Sequence, residues 1–190
     1  MRKLLKNRLA LSTVVTTLII LVVSVLLAGV VTYFAINVTS TRVQEESVTM
    51  QRIHLWMDGG ADGKSQAAFL MINTGGRDIV INKITVRGQT ADWENVHTAV
   101  LTNPFSGDLS FSEDTLAHAY VDTVVDETLT EAIGAVVFKS GTTMIVYINE
   151  PDSITLNDIG LTVGVTIFTS QAMYYQEANV QAYIADSGSG

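Results

Sequence analysis

The sequence has no cysteine and only 2 prolines among its 190 residues. The absence of cysteine excludes disulfide bridges, cysteine-ligated zinc, iron–sulfur clusters and thiol catalysis. A domain without disulfides has to be stabilised by its own core, by ions or by packing against other molecules. About 145 residues follow the N-terminal apolar segment, which is enough for one hydrophobic core.

Charge is also missing over a long stretch, because residues 9–41 contain no Asp, Glu, Lys or Arg. A transmembrane helix needs about 20 mostly apolar residues, and this run is longer. Glu45 and Glu46 follow it, whereas four basic residues precede it: Arg2, Lys3, Lys6 and Arg8. The positive-inside rule then places the N-terminus in the cytoplasm and the C-terminal part of the chain outside.

Basic residues are scarce after this leader. Without its four charges, 7 Lys and Arg stand against 19 Asp and Glu, so the rest of the chain carries −12. This acidic balance argues against nucleic acid as a partner, because phosphates require a basic footprint. It is typical of a soluble domain exposed outside the cell.

The apolar segment is too long for an ordinary cleaved secretion signal, whose apolar centre has about 7–15 residues before a small-residue cleavage site. Its most apolar part runs from Val14 to Ile36, with no A-x-A site at the far end. The segment is apolar on every side, so lipid or other protein has to surround it. We therefore predict a hydrophobic helix over residues 11–46.

One face of this helix is built from small residues. Ser24, Ala28 and Thr32 lie four apart, beside Gly29. Small residues let helix backbones approach closely, which makes this a candidate assembly face, although they are also common in any membrane helix. The hydroxyl groups are expected to bond carbonyls of the preceding turn. They belong to Thr16, Thr17, Ser24 and Thr32.

The start of the helix carries a resemblance. The junction Ala10-Leu11-Ser12-Thr13-Val14-Val15 follows a short basic leader, and YFAINVTSTRVQEES continues it over residues 33–47. Both segments resemble archaeal type IV pilins. Residues 155–182 are similar to the C-terminal strands of that family, and INTGGRDIVINKITVRG, residues 72–88, to its turn and hairpin.

The resemblance implies processing and assembly. The leader, residues 1–10, would be removed by a prepilin peptidase after Ala10, leaving Leu11 as the mature N-terminus. Pilus assembly machinery would then build a homo-oligomeric helical filament, with the helix moving from the membrane into a central bundle. The family usually has Lys or Arg directly before the small residue at the cut, a place that Leu9 takes here. An uncut helix would remain a membrane anchor.

The length of the helix agrees with this scheme. Residues 11–46 would extend about 54 Å at 1.5 Å per residue, against a hydrocarbon core of about 30 Å. The stretch from Asn37 to Glu46 is polar enough to leave the membrane and join an outer domain. Asn37-Val38-Thr39 is a possible glycosylation signal, with an unmodified helix position as the alternative.

Residues 47–185 read as an extracellular antiparallel β-sandwich, followed by a flexible tail at 186–190. Short β-branched and aromatic segments alternate with turns, which is typical of such folds. Thr74-Gly75 turns between two strands, 67–73 and 79–88, which we predict to form a hairpin. A short helix is predicted over 126–132, and residues 88–118 as loop-rich. Further strands are predicted at 48–50, 53–56, 119–125, 135–138, 142–149, 161–169 and 178–184.

Candidate chemistry in this domain is weak. DGGADGKS, residues 58–65, approaches a P-loop but has Asp58 in place of the first glycine and is better read as a hairpin turn. Its two carboxylates, Asp58 and Asp62, lack calcium-loop spacing. A second acidic group is more simply a solvated face: Asp122, Asp126, Glu127 and Glu131. Aromatic residues fit the core or the sheet surface: Trp56, Trp93, Tyr174 and Tyr175.

Three scattered histidines, His54, His97 and His118, show no local ligand pairing, and no hydrolase or metalloprotease motif occurs. We predict an α+β chain that is not an enzyme and uses no cofactor. Its predicted function is that of a structural subunit of an extracellular, archaeal type IV pilus-like filament that serves adhesion. Two alternatives stay open: a single-pass anchored β-domain that binds a ligand, and a minor pilin of a secretion or motility machine.

Overall fold

A computed structural model describes residues 2–43, 45–59, 63–101, 105–112 and 129–183, and only the backbone of residues 2–10 and 41–43. The chain divides into two compact units, Met1–Gln44 and Glu45–Gly190. The first is helical and the second is built from β-strands. The predicted α+β class is confirmed at this level.

Helix α1 spans Arg2–Val43, 42 residues that extend about 63 Å at 1.5 Å per residue. Its segment Leu11–Ser40 has a mean hydropathy of 2.9. Within the described residues this is the one helix with the length and composition to cross a membrane. The helix ends at Val43, whereas the sequence places its end at residue 46.

The second unit has ten strands in the part of the chain that the structure describes. They are β1 Val48–Asp58, β2 Ser65–Asn73, β3 Ile79–Val86, β4 Gln89–Thr90, β5 Val96–Leu101, β6 Thr130–Glu131, β7 Val136–Phe138, β8 Thr143–Asn149, β9 Thr162–Thr169 and β10 Met173–Tyr183. Two single turns of 3₁₀-helix, Trp93–Asn95 and Leu156–Asp158, lie between them.

The strands form one curled, mostly antiparallel sheet in the order β4-β3-β9-β10-β1-β2-β8-β5-β6, with β7 also paired to β3. Strand β10 pairs with β9 through residues 173–179 and then, in parallel, with β1 through residues 180–183. It thereby joins a first sheet half (β1, β2, β8, β5, β6) to a second sheet half (β3, β4, β7, β9 and the start of β10).

The main core contains side chains from both sheet halves. Leu55 and Phe69 of the first half belong to the same buried cluster as Ile81 and Val165 of the second. In β9 the buried residues alternate with half-exposed ones, as one buried face requires. In β2 nearly every residue is buried, because Ala68 and Leu70 enter a second cluster on the opposite face.

Most predicted strands are confirmed, but three local predictions are not. Strand β2 does not form a hairpin with β3: it pairs with β1 and β8, while β3 pairs with β4, β7 and β9. Within the predicted helix 126–132, Thr130 and Glu131 form strand β6. Strand β5 lies in the region predicted as loop-rich. The strand predicted at 119–125 lies outside the described residues.

The segment that enters β1 is bound to the turn after β2. The Gly76 N–H donates to the Glu45 carbonyl at 3.3 Å, and the Thr74 and Gly75 N–H groups donate to Ser47 O at 2.9 and 3.0 Å. A Cβ at Gly75 would lie 2.7 Å from Glu45 O and Ser47 N, so this approach requires glycine. The Glu46 carboxylate also accepts hydrogen bonds from the Thr169 and Tyr174 hydroxyls.

Candidate assembly surface

Helix α1 presents an apolar surface on all sides. Leu18, Ile19, Ile20 and Leu21 follow one another around the helix, and all four are exposed. Exposed apolar residues continue at least to Val38. A surface of this size is stable only in lipid or against other protein, because in water it would forfeit the hydrophobic free energy of burial.

The hydroxyl groups on α1 are satisfied inside the helix, as predicted. Thr16 Oγ1 donates to Ser12 O at 2.9 Å, Thr17 Oγ1 to Val14 O at 2.9 Å, Ser24 Oγ to Ile20 O at 2.7 Å and Thr32 Oγ1 to Ala28 O at 2.7 Å. These donors therefore need no partner outside the helix. Their residues act as small groups that lipid or another helix can contact.

The predicted assembly face lies on one side of α1. At 100° per residue, Ser24, Ala28 and Thr32 fall within an arc of about 80°, and Gly29 lies about 60° beyond Thr32. All four are exposed. A Cβ added at Gly29 would meet no atom within 4 Å, so this position is open to a neighbouring molecule.

The sequence pattern of small residues extends further than the predicted face. Pairs of small residues four apart recur every 11 residues: Thr13 and Thr17, Ser24 and Ala28, Ala35 and Thr39. All six lie in α1 and are exposed. An 11-residue repeat has 3.67 residues per turn, which keeps one stripe facing a partner along a right-handed supercoil.

The predicted cleavage and glycosylation positions are also on α1. Leu11 and Asn37 are exposed helix positions. The backbone of Ala10 and of the leader is helical, and no side-chain position is described for Arg2, Lys3, Lys6 and Arg8. Helix α1 thus continues without a break through the predicted cleavage point.

In the β-domain, residues 105–112 lie along β1 as a strap. Three alternate residues of β1 contact it in order. Arg52 lies over the Phe105 ring at 4.8 Å, His54 Nε2 is 2.8 Å from Asp108 Oδ1, and Trp56 meets Phe111 edge-on at 6.3 Å. The strap therefore covers the second hydrophobic cluster.

Buried polar groups hold the end of the strap. Gln66 donates to Ser112 O at 3.0 Å and accepts from the Ser112 N–H at 2.8 Å. The Tyr147 hydroxyl donates to Ser110 O at 3.0 Å. Burial raises the pKa of Tyr147 to about 12, so its proton stays in place at any physiological pH. Sequence reasoning missed the strap because its partners are far apart in the chain.

The predicted histidines are not brought together. His54 pairs with Asp108, and His97 is buried on β5 opposite Tyr147 and Glu131. His118 lies outside the described residues, as do Asp62, Asp122, Asp126 and Glu127. Within the described residues no group of three or more His, Asp or Glu side chains has the arrangement of a metal site. Asp58 ends β1, and Met57 pairs with Ser65 of β2, as a hairpin requires.

The predicted aromatic residues occupy different environments. Trp56 is buried in the second cluster, and Trp93 and Tyr174 are half-buried against the main core. Tyr175 is 59% exposed on β10. Its ring lies against Gly164 of β9, and its hydroxyl donates to Glu177 Oε1 at 2.5 Å.

Comparison with protein-family models and with curated proteins gives no match to the chain. Among solved structures, the chain is similar to the apo PmoF2 PCuAC domain, with 14% identity and a TM-score of 0.38 over 73% of this chain and 95% of that chain. The copper-bound PCuAC domain from PmoF2 has 16% identity and a TM-score of 0.30 over 73% of this chain and 99% of that chain.

A β-glucosidase from Listeria innocua in complex with glucose gives 8% identity and a TM-score of 0.27 over 74% of this chain and 16% of that chain. These likenesses are too slight to carry an argument about copper or carbohydrate. The functional conclusion therefore rests on the residues of this chain alone.

Proposed function

We propose that this chain is a structural subunit of an extracellular, pilus-like filament that polymerises through α1. The observation that carries the proposal is the length of the uncharged, exposed part of α1. Residues 11–40 are exposed and uncharged and would extend about 45 Å, whereas a membrane span needs about 30 Å. The excess favours a helix that ends in a protein bundle as well as one that begins in lipid.

The small residues that repeat along α1 support the same function. This small-residue stripe consists of Thr13, Thr17, Ser24, Ala28, Ala35 and Thr39. In lipid, helix association depends on close van der Waals packing, which small residues permit. Thr and Ser hydroxyls that bond their own helix add no desolvation cost to that packing. The transfer of α1 from lipid to a bundle of identical helices is therefore nearly neutral in hydrophobic free energy, and packing of the stripe supplies a favourable contribution.

In the filament the β-domain coats the helical bundle and carries the acidic surface outward. We infer that its two sheet halves correspond to the two layers of a pilin-like β-sandwich, because they share the main core cluster. Adhesion is the role we assign to this outer surface. The precursor would lie in the cytoplasmic membrane, and the prepilin peptidase would act on Ala10 and Leu11.

The rival function is a permanent single-pass anchor for the β-domain, which the candidate span Leu11–Ser40 also fits. Filaments sheared from native cells and examined by electron microscopy and mass spectrometry separate the two. We expect filaments that contain this chain with an N-terminus at Leu11. A chain that begins at Met1 and is recovered only as a detergent-dependent monomer would establish the anchor instead.

A further inference from the structure

The outer face of the second sheet half carries an apolar patch, formed by Val80, Val137, Phe168 and Met173, beside a row of polar residues that includes Thr85 and Thr166. Side chains that point away from the core form adjacent rows: Val137 opposite Val80, and Lys83 opposite Phe168 opposite Met173. Met173 is 66% exposed and Val137 is 58% exposed. The first sheet half differs, because the strap covers its outer face. No described segment of the β-domain itself covers the second half in the same way.

Two side chains on this face make contacts within it. The Tyr175 ring lies flat over Gly164, where an added Cβ would come within 2.6 Å of the Tyr175 hydroxyl oxygen, and Glu177 fixes that hydroxyl. Lys83 Nζ lies 4.2 Å from the centre of the Phe168 ring. Exposed aromatic side chains have few rotatable bonds, so they bind partners at low entropic cost and are typical of interface hot spots.

The charges on this face are already engaged within it. Lys83 contacts Phe168, and Glu177 accepts from Tyr175. The apolar patch is thus flanked by one positive and one negative charge and has no net charge, so it fits an uncharged apolar partner better than an acidic or a basic one. A charged partner would lose hydration against the apolar side chains, and the one opposite charge on the face would be offset by one like charge.

The outer part of α1 has this chemistry. At 1.5 Å per residue, about 20 residues of α1 fill a hydrocarbon core, so a span that begins at Leu11 ends near Val30. The next turns lie beyond the lipid and still expose apolar side chains: Val31, Tyr33, Phe34, Ile36 and Val38. These residues need protein cover, and residues 31–40 carry no charge.

We propose that residues 31–40 of α1 of one copy dock on the outer face of β9 and β10 of another copy. This inference rests on the proposed filament and deepens it, because it identifies the surface that joins the β-domain to a neighbouring helix. Met173, Phe168 and Tyr175 supply the apolar contacts. Gly164 acts by letting Tyr175 lie flat, so it positions the contact without making it.

Disulfide trapping tests the proposal in the full chain, which has no cysteine of its own to give background. Two copies with different epitope tags are coexpressed in native cells, one with Phe34→Cys and one with Met173→Cys. Mild oxidation is expected to give a heterodimer several-fold above a matched pair in which Val100→Cys on β5 replaces Met173→Cys. Gly164→Ala in the Met173→Cys copy is expected to reduce that yield without changing the unfolding temperature.

A heterodimer yield equal to the Val100→Cys control overturns the proposal. A chain that carries both Phe34→Cys and Met173→Cys is oxidised in parallel. If a disulfide forms only within that chain, its own helix occupies the face, and the proposal is again overturned. A Met173-to-Met173 dimer without the heterodimer shows that two β-faces meet, and it also overturns the proposal. Electron microscopy of the same cells reads filament formation separately. Filaments without the heterodimer would contradict only the docking contact. The heterodimer without filaments would contradict only the proposed function.

Discussion

His54 Nε2 lies 2.8 Å from Asp108 Oδ1, although 54 residues separate the two in the sequence. The same imidazole stacks on Trp56, with ring centres 5.1 Å apart and planes 7° from parallel. This pair is the middle one of three contacts between β1 and the strap. It ties an irregular segment to the centre of the sheet, and it depends on an ionised carboxylate.

Asp108→Asn is expected to lower stability by about 0.5–1 kcal/mol at neutral pH, because the pair is partly exposed to solvent. Burial favours a higher pKa for Asp108, but the hydrogen bonds from His54 and the Leu109 N–H, with the nearby Arg52 charge, leave it below its ordinary value. A lowered pKa stabilises the fold above the unfolded-state pKa, and this stability is lost as pH falls through the folded-state pKa.

The difference in stability between the native chain and Asp108→Asn should therefore shrink as the pH is lowered below about 4. Thermal unfolding of the full chain in detergent, followed by circular dichroism, measures it. Asp92→Asn, on an exposed turn, is the matched control and should change little. A difference that stays constant from pH 3 to pH 7 would show that the charge on Asp108 is irrelevant to the strap.

Asp158 is predicted to contribute more to the stability of the fold than Asp108 does. Its carboxylate accepts from Thr155 Oγ1 and from the Thr155 N–H, both at 2.8 Å, and from Arg87 Nη1 at 2.6 Å. These hydrogen bonds, those from Thr155 first, hold the pKa of Asp158 below its ordinary value. Asp158→Asn should therefore lower the unfolding temperature at neutral pH, with the loss fading as pH falls through the folded-state pKa.

Arg87→Gln separates the contributions at this site. It removes the ion pair but leaves the two hydrogen bonds from Thr155, so it should destabilise the fold less than Asp158→Asn does. The stability losses of the two substitutions should not be additive, because both residues belong to one network. Unfolding temperatures of the three variants, measured at several pH values, test this order. An Arg87→Gln loss equal to that of Asp158→Asn would assign the whole effect to the ion pair.

Two glycines are expected to respond in opposite ways to alanine. Gly75→Ala places a methyl group 2.7 Å from backbone atoms of Glu45 and Ser47, which cannot move without breaking the junction into β1. It should cost about 1–3 kcal/mol. The three atoms nearest to the new methyl group of Gly164→Ala all belong to Tyr175, an exposed side chain that can rotate away, so stability should hardly change. Equal losses in chemical denaturation would contradict this account.

Ala28→Leu with Gly29→Leu is expected to abolish or strongly reduce filaments without altering the unfolding of the β-domain. Both positions are exposed on α1, and a Cβ at Gly29 meets no atom of its own chain, so the leucines fit the monomer. They would hinder close packing of one helix on another. Leu26→Ala, which removes bulk at an exposed apolar position outside the small-residue stripe, is the control. Normal filaments from the double variant would show the stripe to be incidental.

The helix was the part of the fold easiest to predict, because residues 9–41 lack charge and are mostly apolar. Strands β8 and β9 were also readable from their composition. Their partners were not, because pairing depends on contacts far apart in sequence. The turn at Thr74-Gly75 suggested a β2–β3 hairpin, yet that turn leads to Arg77 and Asp78 and carries the chain into the other sheet half.

Tertiary contacts also overrode local preference at β6. A short helix was predicted over 126–132, but Thr130 and Glu131 pair with Thr98 and His97 on β5. The strap was invisible for a similar reason, since no local signal links Asp108 to His54. The exposed apolar and aromatic residues of β9 and β10 were in the sequence as Phe168, Met173 and Tyr175, but only the strand register brings them to one side.

The junction at Glu45–Ser47 has a mechanical consequence. A pull on the chain before Glu45 would reach Ser47 and then Val48, the first residue of β1. Because β1 pairs with β2 from Val48 to Met57, force along β1 would load these hydrogen bonds together in shear rather than opening them one at a time. The hydrogen bonds that the turn at Gly75 donates to the carbonyls of Glu45 and Ser47 would bear part of that load before the β1–β2 hydrogen bonds began to break.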